Sequence, residues 1–511
     1  MTSAEILRTF ENIWRKYPAF MNAVPWLLGT AWGLSPSYFY GCLLGLWLLP
    51  LIFLSSQRKT LLFALCAFIS AGVLTQLRCP LPQVPSEKCH GTGTFSIDAL
   101  KTQHSPFHRS LVYQGTLDFI TDEGHPIPSV PCALYHPYFS KHPSADSSYK
   151  ITGTLIQKKP RFFILKPDKN KSWIPVIGSF SFAEGRYLAK KAFCRSLEMQ
   201  ISNPHTRTFL NALATGEIDD RILSLEFGKL GMQHILAISG FHFALIALFL
   251  GALLRLVFSY RTSTLLLLLL LSLYAFFLGN SPSVLRAWIA LLVLLIGALI
   301  NRRSSALNTL GVGLWIELLF NPLVAAHVGF QLSFLCTLAI LSLVPLCNAL
   351  VSCLTRKRDL ADLLQMSRLD QHGYLALCYL RASLSVNLAI LIATLPVLLL
   401  LFHRFPLLSL LYNLFFPLCV SLSLLLLCTG CLISAILPPI GSYIHALNNA
   451  WTSAVLTFSS EPPAFCDLVI RMKTLSFPIV ALYLTLLFMG ALFWNEKQKN
   501  QLFQESFSFS R

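Results

Sequence analysis

Long apolar runs alternate with short polar turns over most of this chain, and one polar block interrupts the series. The first runs lie at roughly 22–35, 38–55 and 60–77. A second set follows at 234–257, 262–279, 283–300, 304–320, 322–351, 381–402, 406–436, 440–458 and 474–494. Many approach the ~20 residues a helix needs to cross a bilayer, so the pattern predicts a polytopic α-helical membrane protein. Between the two sets, residues 80–185 lose the apolar runs. Short alternating stretches at 93–99, 111–120, 129–135, 149–157 and 161–166 appear instead, divided by Gly, Pro and Asp turns. Such strands predict a small inserted β-barrel (OB-like) or sandwich. Residues 186–230 mix apolar and charged positions at helical spacing, as in Phe209 with Leu213 and Leu210 with Ala214. They predict amphipathic helices at the membrane surface, with a break at 216–221.

The chain therefore divides into 1–79 (an amphipathic segment and three spans), the β-domain 80–185, the amphipathic helices 186–230, a helical block 231–496 and a tail 497–511. Ile6, Phe10, Ile13 and Tyr17 form one apolar stripe before the first span. Arg8, Arg15, Lys16, Arg58 and Lys59 place the N-terminus and the first basic turn in the cytoplasm, which delivers 80–185 to the outside. Turns at 255–261, 302–303 and 356–358 continue the alternation, Lys497 and Lys499 mark a cytoplasmic C-terminus, and 355–380 reads as a cytoplasmic amphipathic linker. No secretory signal peptide or internal repeat is evident.

Composition agrees with this class: charged residues are 12%, against about a quarter in soluble domains, and mean hydropathy is +0.61. The formal charge of +17 partly reflects basic cytoplasmic loops. Within 141–171, however, eight basic residues face two acids, with Phe162, Phe163 and Trp173 interleaved. Basic groups and aromatics on a small barrel suit single-stranded nucleic acid, through phosphate contact and base stacking. Lys158, Lys159, Arg161, Phe162 and Phe163 are the candidate contacts, while a solvated face with core phenylalanines accounts for the pattern equally well. Most of the fourteen cysteines sit singly in apolar runs, and Cys428 and Cys431 lie in a Leu-rich helix as small hydrophobes. Cys79, Cys89, Cys132 and Cys194, in or beside the polar domain, leave room for one disulfide of undetermined pairing.

Several polar residues interrupt the apolar runs. Ser239 and His242, three apart, would share a helical face; so would His327 and Gln331, four apart, with Ser333 pointing elsewhere. Ser283 and Arg286 open another run behind Pro282. An arginine there is either an interfacial anchor that snorkels or a fixed cation facing an anion's path. Asn387, Asn413, Asn448 and Asn449 are individually explained by interhelical hydrogen bonds. Taken together, these residues predict a polar internal cavity lined or braced by Ser239, His242, Ser283, Arg286, His327, Gln331 and Ser333. Catalysis is not expected: no carboxylate accompanies Ser239 and His242, and no phosphate loop, His-Glu-x-x-His or ligand cluster is present. The span bodies carry hardly any Asp or Glu, against a proton-relay pump. No metal or cofactor is expected.

At these residues the sequence resembles the ComEC family of competence proteins. The resemblance rests on Gly231-Met-Gln-His-Ile-Leu-Ala-Ile-Ser-Gly-Phe-His242, Pro282-Ser-Val-Leu-Arg-Ala287, Asn321-Pro322 with Gly329-Phe-Gln-Leu-Ser333, and Ala393-Thr-Leu-Pro396 followed by His403. It implies an OB-fold outside the membrane and passage of one DNA strand through a bacterial inner-membrane channel. It also implies an extracytoplasmic DNA receptor and a cytoplasmic helicase-like motor as partners. Many relatives carry a C-terminal metallo-β-lactamase-like domain; its His-x-His-x-Asp-His motif is not found after Trp494, so a separate nuclease is expected. The competing expectations are a transporter of a small anionic solute or lipid precursor, and a membrane scaffold or biogenesis factor.

Overall fold

A computed structural model describes residues 3–54, 57–82, 87–104, 109–138, 142–159, 161–169, 171–218, 221–279, 281–302, 305–352, 358–460, 469–472 and 475–508, without the side chains of 3, 4, 104, 159, 360, 361, 408 and 502–508. Helices α1 (Ser3–Lys16), α2 (Pro18–Leu34), α3 (Tyr38–Ile52) and α4 (Arg58–Arg78) come first. Strands β1 (Lys88–His104), β2 (Arg109–Thr121), β3 (Pro126–Pro137), β4 (Tyr149–Lys159), β5 (Phe162–Pro167) and β6 (Ile174–Pro175) follow. Helices α5 (Ala183–Glu198), α6 (Pro204–Thr215), α7 (Arg221–Lys229) and α8 (Gln233–Leu236) lead to α9 (Gly240–Val257), α10 (Tyr260–Leu278), α11 (Pro282–Leu299) and α12 (Ala306–Phe320). A 3-10 turn at Pro322–Ala326 precedes α13 (Val328–Val351), α14 (Leu360–Gln365) and α15 (Arg368–Phe402). The chain then forms β7 (Arg404–Pro406), α16 (Leu408–Ser434), α17 (Pro438–Ser460), β8 (Val469–Arg471) and α18 (Phe477–Ser508).

Among the described residues eight helices are long and apolar enough to cross a membrane: α4, α9, α10, α11, α13, α15, α16 and α18. The chain is thus a multi-pass membrane protein. Helices α3 and α12 are apolar but shorter. The run 322–351 is cut by Pro322, which starts the 3-10 turn, and the helix restarts at Val328. The stretch expected as a linker behaves differently, because α15 runs unbroken from Arg368 into its apolar part. No proline lies between Arg368 and Leu380 to end it.

The chain forms two compact units, one of Met1–Leu77, Leu285–Pro417 and Pro463–Arg511, the other of Arg78–Val284 and Leu418–Pro462. In the first, backbones approach closely where small residues meet. A Cβ on Gly311 would strike the Phe20 backbone, and one on Gly29 the Phe68 carbonyl. Asn308 braces the α1–α2 junction, accepting from Ala19 N at 3.2 Å and donating to Lys16 O at 3.0 Å. Lys16 Nζ reaches Glu496 of α18 at 3.0 Å. Ala339, Leu343, Ala389 and Ala393 pack α13 against α15.

In the second unit the strands make one mixed sheet in the order β1-β2-β3-β5-β4-β6, with β1 also pairing with β4. All pairings are antiparallel except β3 with β5. Inward positions such as Phe95, Tyr113, Leu117, Phe119 and Leu165 bury one core. Strands come close at glycine: a Cβ on Gly115 would collide with the Ser96 carbonyl, and one on Gly153 with the Lys166 carbonyl. Helix α6 shows both its start and its stop signal in sequence. Asn203 accepts from the His205 and Thr206 amides ahead of Pro204, and Gly216 closes the helix at φ +71°. No two of Cys79, Cys89, Cys132 and Cys194 are joined, so the disulfide expected among them is not formed.

Candidate functional site

The first unit gathers one partly buried polar cluster. Arg286, one turn into α11, donates from Nε to Ser333 Oγ of α13 at 2.7 Å. Glu317 of α12 lies near enough for the two charges to act on each other, without a direct ion pair. Glu317 is only 5% exposed, and neither carboxylate oxygen has a hydrogen-bond partner among the described residues. The guanidinium is half-buried and has a protein partner in Ser333, an arrangement open both to a snorkelling anchor and to a fixed internal cation. His327 and Gln331 do different work. His327 stands just before α13 as its N-cap, accepting from Gly329 N at 3.2 Å. Gln331 donates to Ala325 O at 2.9 Å and ties the 3-10 turn to the helix. They share no helical face, because the proline-led turn moves His327 out of the helix.

The second unit brings together the other three residues. Ser239 is the N-cap of α9 and not part of the helix, so the expected shared face is replaced by a cap. The Ser239 N–H donates to His242 Nδ1 at 3.2 Å, with Ser239 Oγ also 3.2 Å from that nitrogen. Imidazole here takes the part a Glu or Gln plays in a capping box. Because Nδ1 accepts, the ring proton belongs on Nε2. Ser283 donates to the Ile238 carbonyl at 2.9 Å, fastening the first turn of α11 to the same loop. His242 is buried, and Ser239 and Ser283 are half-buried. Nearby in the fold, buried Lys190 of α5 bonds Glu217 at 2.9 Å and the Leu278 carbonyl at 3.0 Å.

On the β-domain, Lys158 and Phe162 are exposed, whereas Phe163 is fully buried in the core. Phe163 pairs with Gln157 and Cys132 on either side, so its ring fills the sheet interior and offers no stacking surface. Arg161 is half-buried beside Cys79, and burial lowers its proton affinity below the ordinary guanidinium range. The Lys159 side chain lies outside the described residues. Elsewhere on the domain His90 bridges two carboxylates: Nδ1 lies 2.7 Å from Asp122 and Nε2 3.2 Å from Asp168. The hydrogen bonds to Asp122 and then Asp168 raise its pKa above the ordinary value.

A family model described as "Competence protein" matches residues 215–497, more than half of the chain. The chain belongs to the competence protein family. A stretch of 135 residues is 36% identical to ComE operon protein 3 of Bacillus subtilis (strain 168), covering 26% of this chain and 17% of that relative. The chain thus matches about a sixth of the length of this curated relative. No solved structure matches the chain. The competence-family match contains the candidate residues from Ser239 to Ser333 and leaves Lys190 and the β-domain outside it.

Two members of these clusters escaped the sequence reading of this competence protein. Glu317 is the one acidic residue in 304–320, a signal in itself among span bodies that carry hardly any acids. Lys190 shares the buried side of α5 with Tyr187 and Leu197, and nothing beside it in sequence sets it apart from a surface lysine. Of the amides, Asn387 braces α15 against α16 by donating to the Asn413 backbone carbonyl at 3.2 Å, Asn449 reaches Ser202 in the turn before α6 at 3.3 Å, and among the described residues Asn448 bonds only within its own helix.

Proposed function

We propose that this chain conducts one strand of DNA across the bacterial inner membrane during natural transformation. The observation that carries this reading is Arg286, a permanent cation in an apolar helix of the family-matched region, held by Ser333 and shadowed by buried Glu317. A strand bearing one phosphate per nucleotide needs such fixed positive charge along an otherwise apolar route. The β-domain is the outer gripping module. Its β1–β4 pairing and parallel β3–β5 pairing favour an OB-like barrel, and exposed Lys158 and Phe162 supply a phosphate contact and a stacking ring. Basic turns favour cytoplasmic termini. The partners would be an extracytoplasmic DNA receptor, a cytoplasmic helicase-like motor and a separate nuclease. The chain itself acts as a conduit and not as an enzyme.

The test is uptake of labelled DNA by cells lacking this chain and complemented by wild type, Arg286→Ala or Arg286→Lys. Wild type restores uptake, Arg286→Ala does not, and Arg286→Lys restores part of it because charge remains while the fork geometry is lost. Full uptake with Arg286→Ala at normal protein levels defeats the reading. Oligonucleotide binding to the purified chain should weaken as salt rises, and Lys158→Ala should reduce the salt slope by about one.

A further inference from the structure

Helix α17 is built inside out. His445, Asn448, Thr452 and Ser459 recur along one face and are buried, from 0% to 2% exposed. Ile440, Tyr443, Leu447 and Phe458 occupy the opposite face and are at least half exposed. In water this arrangement is unstable; in a bilayer it puts apolar groups against lipid and polar groups against protein. At about 1.5 Å per residue the polar stripe from His445 to Ser459 is roughly 21 Å long, most of a hydrocarbon core of about 30 Å.

Interhelical bracing accounts for only part of the stripe. Thr452 Oγ1 lies 2.9 Å from both Ser423 Oγ of α16 and Asn448 Oδ1. Its single proton is shared between these two acceptors, while the Ser423 hydroxyl donates to the Cys419 carbonyl at 3.3 Å. His445 is different: its ring lies against Gly430 of α16, and neither ring nitrogen makes a hydrogen bond among the described residues. It feels the Gly430 backbone only without hydrogen-bond geometry. Asn448 Nδ2 is likewise unpartnered, as is Asn449 Oδ1. Helix α6, packed on α17, adds Thr206 Oγ1 and Asn211 Oδ1. Six of the thirteen buried, unpartnered side-chain atoms among the described residues therefore belong to α6 and α17. Native interiors rarely leave such groups unmade, and a concentration of them marks an interior suited to another, hydrated state.

We propose that the seam between α6, α17 and the Leu418–Ser434 part of α16 is a closed passage that opens to water and to a phosphate-bearing strand. Imidazole, amide and hydroxyl donors then face the cargo in place of one another. The idea rests on the DNA-conducting reading for its cargo, but not for the existence of a hydratable seam.

The experiment pairs stability with transport. His445→Leu and Asn448→Leu fill similar space while removing the unpartnered atoms. Thermal unfolding of the purified chain should stay the same or move upward, while DNA uptake falls by about tenfold or more. A group that only supports the fold would lower both together. His445→Phe, which keeps a planar ring while removing both unpartnered nitrogens, decides by the same criterion if a leucine variant does not accumulate. In parallel, Asn448→Cys in membranes should react with a charged, membrane-impermeant thiol reagent above the wild-type background when single-stranded oligonucleotide is present. Unchanged uptake by the folded variants, or no labelling of Asn448→Cys with or without oligonucleotide, overturns the proposal. Failure of the wild-type chain to support uptake defeats the DNA reading alone, since thiol labelling reports a hydrated seam whatever its cargo.

Discussion

At the scale of single residues, chemistry is decided by what each polar atom finds. Arg286 was recognisable as a charge in an apolar run, but its Ser333 partner lies 47 residues away and only folding pairs them. Phe163 shows the reverse: an aromatic beside lysines looked like a stacking ring and is a core residue. His90 yields a direct test. Both ring nitrogens face carboxylates, an arrangement that only the doubly protonated ring satisfies with two donated protons. Its folded pKa is raised above the unfolded value near 6.5, so the bridge contributes its full stability below that value. The contribution disappears as pH rises through the raised pKa. Thermal unfolding of wild type and His90→Gln should therefore differ most in acid and converge in alkaline buffer. A constant difference across pH would show that His90 acts by packing alone.

At the scale of elements, the ends of helices were harder to read than their bodies. The apolar run 234–257 predicts one helix with polar insertions, yet it is a short helix, a loop and α9, because Ser239 and His242 cap a fresh start. His242→Ala should lower thermal stability by about 1 kcal/mol for the lost cap, with a further loss from the emptied space. His242→Gln, which restores an acceptor at the third helical position, should recover most of it. Equal unfolding temperatures for the two variants would mean the cap contributes nothing. The same logic explains α17, whose amides and histidine made it a poor span by composition while its outward face is apolar. Average hydropathy hides this; only the direction each side chain takes reveals it.

At the scale of the molecule, the alternation of basic turns predicts which loops face which compartment. Impermeant thiol labelling of intact cells should modify Lys158→Cys, above the wild-type background, and spare Arg302→Cys until the membrane is opened. The opposite pattern would invert the assigned topology. The two compact units are each assembled from distant parts of the chain, so no contiguous fragment of the helical region carries a whole unit. Deletions within 285–417 should for that reason also destabilise α1–α4, as protease sensitivity of the first 77 residues would report.

Apolar run length and strand alternation, which are local properties, determined by themselves that this protein crosses a membrane many times and carries a β-domain between its helices. The order of motifs along the chain likewise sufficed to indicate the competence family. Which polar groups meet was settled only by the tertiary structure, because the partners Arg286 with Ser333, Lys190 with Glu217 and Thr452 with Ser423 are 47, 27 and 29 residues apart and sit on different elements. Burial of Glu317 and His445 followed from the same cause: a side chain's cost in hydrocarbon depends on its neighbours across the interface, and those neighbours are not written beside it.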